Sequence, residues 1–280
     1  MDLKISIKGR WDDSEFSRCR AIAAAAEACG ANVEIIGSFE VDWLEIHGDV
    51  TSPVIVVDNA AVTGGVDEFV QLVTRKYSNA EIQNISNKED FDAAAKESFL
   101  AALVATGNSF TYHDIKIGEG KAKRVIYELF TSICPKTCEN FQGLCSGSSN
   151  RGKYKGSYFH RVVQGGWVQG GDIVSGKGDT GKSIWGDEFP DETFSVKFER
   201  PGMLAMTSKG AHTNNSQFFI TTNSLPWLNT KSVAFGRVVK GFDIIKNVEN
   251  VECSNERPIV PCKIEKAGKL DLDSVYDLKF

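Results

Sequence analysis

The side chains best suited to nucleophilic, redox or metal chemistry belong to seven cysteines and four histidines. No two cysteines form a Cys-x-x-Cys pair, and the histidines lack the spacing of metal ligands. Because the cysteine number is odd and no secretory signal is recognisable, we interpret the cysteines as reduced thiols. The pattern therefore predicts no metal site. The residues are Cys19, Cys29, Cys134, Cys138, Cys145, Cys253, Cys262, His47, His113, His160 and His212.

The charge distribution divides the chain into two parts. Residues 1–106 contain 9 Lys/Arg and 18 Asp/Glu, whereas residues 107–280 contain 23 Lys/Arg and 19 Asp/Glu. A length of 280 residues suits two domains, and the change of sign places a boundary near residue 106. The small positive excess of the second part is too dilute for a basic patch, so nucleic-acid binding is not expected.

The sequence shows no segment that would direct the protein into or across a membrane. It contains no run of about 18 apolar residues. Its first residues, Met1-Asp2-Leu3-Lys4, form neither a basic nor an apolar signal region. We therefore expect a cytoplasmic protein without membrane contacts.

The first 78 residues alternate between strand-like and helix-like segments. Alternation over residues 4–8 predicts a strand, and the alanine-rich run 20–28 predicts a helix that stops at Gly30. A second strand follows at residues 33–36. The remaining predicted elements are a helix over 40–46, strands over 51–58 and 60–63, and a helix over 66–77.

This order of elements resembles the thioredoxin superfamily, and glutaredoxins in particular. In those proteins a proline opens the third strand and a Gly-Gly pair precedes the last helix, as Ser52-Pro53 and Gly64-Gly65 do here. The resemblance implies an α/β thioredoxin-like domain over residues 1–78. Redox members carry a cysteine in the loop that corresponds to residues 9–14, and this loop contains none.

The two cysteines of this region are not placed for thiol chemistry. A reactive thiolate needs an exposed sulfur at a helix N-terminus, whereas Cys19 falls inside the predicted helix. We expect Cys19 and Cys29 to be buried small apolar residues. The domain is therefore predicted to be redox-silent and to serve structure or the docking of an unknown protein partner. Trp11 is either an exposed anchor for that partner or a core residue.

Residues 79–108 are predicted to form a helical connector. Residues 86–90 offer a helix start, and apolar residues then recur at helical spacing up to Leu103. The helix either packs on one domain or acts as a spacer between two. Residues 271–280 form a C-terminal tail.

From residue 109 to residue 270, short strand-like runs alternate with glycine turns. Eight runs and two helices, over 135–146 and 241–249, predict a mainly β, eight-stranded antiparallel barrel capped by two helices. Pro135 suits the first position of its helix. The runs cover 112–117, 124–130, 158–163, 167–170, 202–206, 217–222, 233–239 and 263–268.

Several sequence blocks in this second part resemble the cyclophilins. The resemblance covers about residues 109–270 and implies an isomerase of the bond before proline in proteins, without metal or cofactor. Gly166-Trp167-Val168-Gln169 and Asn255-Glu256-Arg257-Pro258 are similar to a divergent subgroup, the peptidyl-prolyl isomerase-like protein six group. The blocks are Pro135–Phe141, Tyr154–Val163, Gln169–Asp172, Gly181–Ile184, Glu188-Phe189, Asn214–Ile220, Trp227-Leu228 and Val233–Gly236.

The resemblance also implies roles for individual residues. Arg161 matches the family's catalytic arginine, and Gln169 matches the glutamine that holds it and contacts the substrate backbone. Phe219 and Leu228 match the aromatic and aliphatic walls of the proline pocket. The other residues that match substrate-contacting positions are Trp227, which also meets cyclosporin in binding members, Gln217, Trp167, Thr207, Ser208 and Ser232.

Several positions depart from the family pattern. Gly166 stands where a pocket phenylalanine is usual, and Trp167 stands where a methionine is usual. Lys209 brings a charge into the groove beside the pocket, and Ser232 replaces a histidine. We therefore expect weak or selective isomerase activity and weakened cyclosporin binding.

The sequence leaves two further functions open. One is a module that reads proline-containing segments without turnover. The other is a structural component of a larger assembly, with the acidic first domain as its docking part and a cilium or flagellum as its location.

Overall fold

The computed structural model describes residues 2–48, 50–77, 82, 85 and 91–271. The chain divides into two compact units, residues 1–106 and residues 107–280. Within the described ranges no helix is long and apolar enough to cross a membrane. The predicted helix start at 86–90 and residues 272–280 of the tail lie outside the described residues.

The first unit is an α/β unit built on a four-stranded sheet. Its strands follow the order β2-β1-β3-β4. The pair β1/β2 is parallel, and the pairs β1/β3 and β3/β4 are antiparallel. The elements are β1 (Lys4–Arg10), α1 (Ser14–Ala28), β2 (Asn32–Ser38), α2 (Glu40–His47), β3 (Val54–Val57), β4 (Ala60–Ala61), α3 (Gly65–Tyr77) and α4 (Phe91–Ala105). The described residues thus contain the predicted α/β unit, and its thioredoxin-like character stays a prediction.

The core of this unit forms where α1 covers β1. Ile5 and Ile7 alternate with polar residues along β1 and are buried, as the strand pattern predicts. The Asp13 side chain caps α1 by accepting a hydrogen bond from the Glu15 amide at 2.9 Å. Trp11 packs edge-on against the buried Phe16, with ring centroids 5.8 Å apart, so its core interpretation is the one that the structure supports.

Cys19 in α1 and Cys29 at the C-cap of α1 differ in environment. Cys19 is fully buried, as expected. Cys29 is exposed, so its predicted burial is wrong. The reason is that Cys29 is the C-cap residue of α1, where the helix leaves the core.

The helix α4 belongs to the first unit. Its residues Ala95, Phe99 and Leu103 are buried. Phe99 meets Phe39 edge-on, with ring centroids 5.8 Å apart, and Arg20 of α1 donates to the Ser98 hydroxyl at 2.6 Å. Of the two predicted alternatives, packing on one domain is therefore the one observed.

The second unit contains an eight-stranded antiparallel sheet, which confirms the predicted architecture. The strand order is β14-β5-β6-β11-β9-β10-β8-β7. Its strands are β5 (Ser109–Ile117), β6 (Lys123–Leu129), β7 (Phe159–Val163), β8 (Trp167–Gly170), β9 (Met203–Met206), β10 (Phe218–Thr221), β11 (Ala234–Lys240) and β14 (Cys262–Leu270). The other elements are the helices α5 (Pro135–Ser146) and α6 (Phe242–Glu249), a 3-10 turn (Pro226–Leu228) and the hairpin of β12 (Cys253–Ser254) and β13 (Arg257–Pro258).

The sheet closes between its two outer strands. The Gly156 amide donates to the Ile264 carbonyl oxygen at 2.7 Å, and the Ile264 amide donates to the Ser157 carbonyl oxygen at 2.9 Å. A bridge between Tyr158 and Lys263 continues this pairing. Closure satisfies the backbone groups that an open edge would expose.

The helix α5 starts and ends as its sequence predicts. Pro135 occupies the first turn, where its missing N–H costs no hydrogen bond. Gly147 ends the helix in the left-handed conformation, with φ of 66°. The buried Phe141 of this helix packs into the aromatic core of the barrel against Tyr154 and Phe218.

Candidate functional site

Three predicted site residues form a row across neighbouring strands. Gln169 on β8 lies directly opposite Arg161 on β7 and opposite Phe219 on β10. Residues directly opposite in an antiparallel sheet point to the same face. The register of the three strands therefore brings the arginine, the glutamine and the phenylalanine onto one face.

Gln169 connects this row to Gln217, the residue that precedes β10. Its amide nitrogen donates to the side-chain oxygen of Gln217 at 3.0 Å. Gln217 in turn donates to the carbonyl oxygen of Gly178 at 3.1 Å and accepts at its backbone oxygen from the Thr207 amide at 3.0 Å. Both glutamines are buried, so their positions are set by these hydrogen bonds.

Phe219 also belongs to a buried apolar cluster beside the row. Its ring stacks on Phe198, with centroids 5.9 Å apart and planes inclined by 14°. Leu228 packs in the same cluster and is buried. The other buried members are Met203, Ala205, Leu225 and Ala234. The predicted aromatic and aliphatic walls are thus in one place.

Trp167 packs over this cluster. Its ring centroid lies 5.8 Å from that of Phe219 and 6.0 Å from that of Trp227. Trp167 and Gln169 are two residues apart on β8 and share a face. Trp227 is about half exposed, at 53%. The two indoles therefore form an aromatic rim beside the apolar cluster.

Gly166 lies in a tightly held turn before Trp167. Its carbonyl oxygen accepts from the Thr222 amide at 2.8 Å. The buried Glu249 carboxylate accepts from the Gly165 amide at 2.8 Å and from the Thr222 hydroxyl at 2.6 Å. A Cβ atom at Gly166 would lie 3.3 Å from the nearest side-chain carbon of Val163. A phenylalanine at this position would therefore require Val163 to move.

Arg161 forms an ion pair with a residue from the β12–β13 hairpin. Its Nε donates to Oε2 of Glu256 at 2.7 Å. The two side chains are 43% and 48% exposed. The Arg161 guanidinium also lies 5.6 Å from the centroid of the Trp167 ring. The guanidinium is thus placed between a carboxylate and the aromatic rim.

The loop over residues 172–180 holds Gln217, which in turn contacts Gln169. The buried Asp172 carboxylate accepts from the Ser175 hydroxyl and amide, from the Gly178 amide and from the Thr180 hydroxyl. Burial alone would raise the pKa of Asp172, but these hydrogen bonds hold its pKa well below the ordinary value. The ionised carboxylate thereby orders the loop whose carbonyl oxygens anchor Gln217.

The remaining predicted residues lie at the edges of the site. Ser208 follows Thr207 and is half-buried. Ser232 is half-buried, and its amide donates to the Leu228 carbonyl oxygen at 3.3 Å. Lys209 is exposed and its Nζ donates to the carbonyl oxygen of Asp179 at 2.8 Å. The Lys209 side chain is therefore engaged with the loop over residues 172–180.

Three residues that shape the site were not singled out for it from the sequence. Phe198 stacks on Phe219, Glu249 holds the turn before Trp167, and Glu256 binds Arg161. Glu256 is 95 positions from Arg161 in the chain, and an isolated glutamate or phenylalanine carries no local signal of such a contact.

The site thus combines a buried apolar cluster with a cation and side-chain amide groups beside it. A family model described as cyclophilin type peptidyl-prolyl cis-trans isomerase/CLD matches residues 112–269. The chain belongs to this family. The cyclophilin prediction made from the sequence blocks is therefore confirmed.

Individual relatives agree with this assignment. A human protein named probable inactive peptidyl-prolyl cis-trans isomerase-like 6 is 46% identical over 194 residues, which cover 67% of this chain and 62% of the relative. The mouse protein of the same name is 49% identical over 186 residues, covering 64% of this chain and 59% of the relative. The human NK-tumor recognition protein is 43% identical over 175 residues, or 60% of this chain and 12% of that protein.

The relatives also support the predicted subgroup within the cyclophilins. The matched region spans about three fifths of the length of the isomerase-like 6 proteins. Their names carry the words probable inactive. Membership of the cyclophilin family is thus established. Whether this chain is active depends on the residues of its own site.

Proposed function

We propose that the cyclophilin domain binds X-Pro segments of proteins over Phe219 and isomerises them slowly. The observation that supports this most directly is the cross-strand row of Arg161, Gln169 and Phe219. A prolyl ring suits the apolar cluster. The guanidinium and the glutamine amide then lie beside the amide bond that must rotate.

The chemistry required of the site is modest. Amide resonance gives the bond a rotation barrier of about 18–20 kcal/mol. A donor to the prolyl nitrogen weakens the C–N double bond, and it acts most strongly on the twisted amide. Arginine suits this task because it stays protonated and presents fixed donors. No nucleophile, metal or cofactor is needed for such a rotation.

Two features of the site support a slow rate. Trp167 packs against Phe219 and Trp227, so a prolyl ring over Phe219 must share this space with the Trp167 indole or displace it. Glu256 engages Nε of Arg161 and offsets part of its charge. The names of the isomerase-like 6 relatives agree with low turnover.

A second candidate function is the binding of proline-containing segments without turnover. The aromatic rim of Trp167 and Trp227 favours it, because exposed aromatic faces bind prolyl rings well without acting on the amide. The same rim and the exposed Lys209 are the reasons for which weakened cyclosporin binding stays our expectation. A protein partner for residues 1–106 likewise stays a proposal.

The test measures exchange and binding on the same peptides. Cis–trans exchange of Ala-Ala-Pro-Phe peptides is followed by NMR with the full chain, and affinity is followed by fluorescence anisotropy. Arg161→Ala should lower the catalysed exchange about 10- to 100-fold, since electrostatic donors of this kind contribute up to about 10²–10³ and Arg161 is half-exposed. Affinity should change less than about threefold.

The matched control is Arg151→Ala, which removes an exposed arginine from the same unit. It should leave exchange and affinity unchanged. Binding without catalysed exchange in the unmodified chain would favour the second candidate function. If Arg161→Ala keeps both the catalysed exchange and the peptide affinity, the row of Arg161, Gln169 and Phe219 is not the substrate site.

A further inference from the structure

The hairpin turn that carries Glu256 has an unusual residue choice. Asn255 and Glu256 both adopt the left-handed conformation, with φ of 48° and 62°. A two-residue turn of this kind favours asparagine followed by glycine. Glutamate at the second position is disfavoured by the local backbone. Glutamate at this position therefore has a backbone cost, which a favourable contact of its side chain can offset.

The contact of the Glu256 side chain is Arg161. The carboxylate accepts from Nε at 2.7 Å, while the Glu256 carbonyl oxygen separately accepts from the Val162 amide at 2.7 Å. The neighbouring Arg257 donates to the carbonyl oxygen of Lys177 at 2.7 Å. The backbone hydrogen bond between Val162 and Glu256 docks the hairpin on β7. The Glu256 carboxylate is not needed for this docking and binds Arg161.

The position of Glu256 also sets what a bound peptide meets. Hydrogen bonds link Thr207 to Gln217 and Gln217 to Gln169, and Arg161 lies opposite Gln169 on the outer strand β7. Glu256 contacts Arg161 from the turn of the separate β12–β13 hairpin. In the proposed pose the Arg161 guanidinium lies beside the prolyl amide, and the half-exposed Glu256 carboxylate contacts that same guanidinium. An extended peptide advances about 3.3 Å per residue, so a side chain one or two positions from the proline can reach this carboxylate.

We propose that Glu256 is a positioning residue that restrains Arg161 and selects X-Pro segments with a basic side chain one or two positions from the proline. The proposal rests on the function proposed above. A lysine or arginine of the peptide competes with Arg161 for the carboxylate and releases its Nε toward the amide. An acidic side chain at that position is repelled by Glu256.

The test compares three peptide sets in the full chain. The sets carry lysine, glutamine or glutamate at one or two positions from the proline, on either side. Lysine peptides should bind and exchange about tenfold better than glutamate peptides at low salt, at one flank at least. The ratio should fall in 0.5 M salt because exposed ion pairs are screened.

Glu256→Gln should reduce the lysine-to-glutamate ratio below about threefold. It should also raise exchange of the glutamine peptides about two- to fivefold, the range that an exposed ion pair of about 0.4–1 kcal/mol gives. The matched control is Glu265→Gln, which breaks a half-exposed ion pair with Lys263 on β14. The control should leave the ratio and the rate unchanged.

Glu256→Gly separates this role from a purely structural one. Glycine suits the left-handed backbone at this position, so the melting temperature should not fall while the lysine preference is lost. A ratio that survives Glu256→Gln would overturn the proposal, as would an unchanged exchange rate of the glutamine peptides. Charge selectivity in binding without any catalysed exchange would instead contradict the isomerase function and retain Glu256 as the recognition residue.

Discussion

His113 is expected to make the barrel acid-sensitive. The side chain is fully buried and its ring lies 5.0 to 5.5 Å from the rings of four aromatic residues. Its Nε2 lies 3.4 Å from the sulfur of Cys145. Burial disfavours the imidazolium and lowers the pKa of His113 from 6.5 to about 3. The four aromatic residues are Tyr127, Phe141, Tyr154 and Phe218.

The sign of the effect follows from which state binds the proton. Below pH 6.5 the unfolded chain protonates this histidine, whereas the folded chain does so only near pH 3. The stability is thus complete above pH 6.5 and is lost as the pH falls toward 3. Each pH unit in this window is worth about 1.4 kcal/mol. Between pH 7 and pH 5 the loss attributable to His113 is about 2 kcal/mol.

The perturbation is His113→Phe, which keeps an aromatic ring in the cluster and removes the titration. Urea unfolding of the full chain at pH 5, 6, 7 and 8 gives the free energy of unfolding for both proteins. The unmodified chain should lose about 2 kcal/mol more than the variant between pH 7 and pH 5. Between pH 7 and pH 8 the two should change in parallel, because His113 is neutral in both states there.

His113→Leu provides a second substitution in case the larger ring disturbs packing, since the pH slope is the quantity compared. NMR of the histidine ring protons supplies a direct check. An imidazole of His113 that titrates near pH 6.5 in the folded chain would refute the reasoning. So would equal pH slopes for the unmodified chain and both variants.

Three further outcomes are expected. Asp172→Ala should lower the free energy of unfolding by about 2–4 kcal/mol and weaken X-Pro peptide binding, because several hydrogen bonds within the loop that holds Gln217 are lost. Urea unfolding measures the first effect and fluorescence anisotropy the second. An unchanged peptide affinity would contradict the prediction. Burial raises the pKa of the Cys19 thiol, so the full chain should show no glutathione-dependent disulfide reduction, and activity that Cys19→Ser abolishes would disprove this. Residues 107–280 alone should unfold cooperatively on heating, whereas a molten product would show that the first unit completes their core.

Much of the second unit follows from local sequence. The eight strand-like runs and the two helices are all present, with bounds that differ by a few residues at most. Alternation and turn residues act over a few positions, so they are visible without the fold. The cyclophilin blocks likewise contain Arg161, Gln169 and Phe219 within short contiguous stretches, and the family model matches the region that holds them.

Other features were decided only by the tertiary structure. Cys29 has a small apolar side chain of the kind found in protein cores, but it lies at the exposed end of α1. The helix α4 has an apolar face that fits either a spacer or a packed helix, and its contacts with Arg20 and Phe39 settle which it is. In each case the residue type permits two environments, and the position of the element in the unit selects one.

The sequence by itself determined the strands and helices of the barrel and its family, because these rest on short contiguous patterns. It did not determine that Trp167 packs between Phe219 and Trp227. Nor did it determine that Glu256 holds Arg161 across 95 positions of chain. Those contacts depend on strand register and on the docking of the hairpin against β7. Such pairings arise from long-range packing, which no local pattern of residue types records.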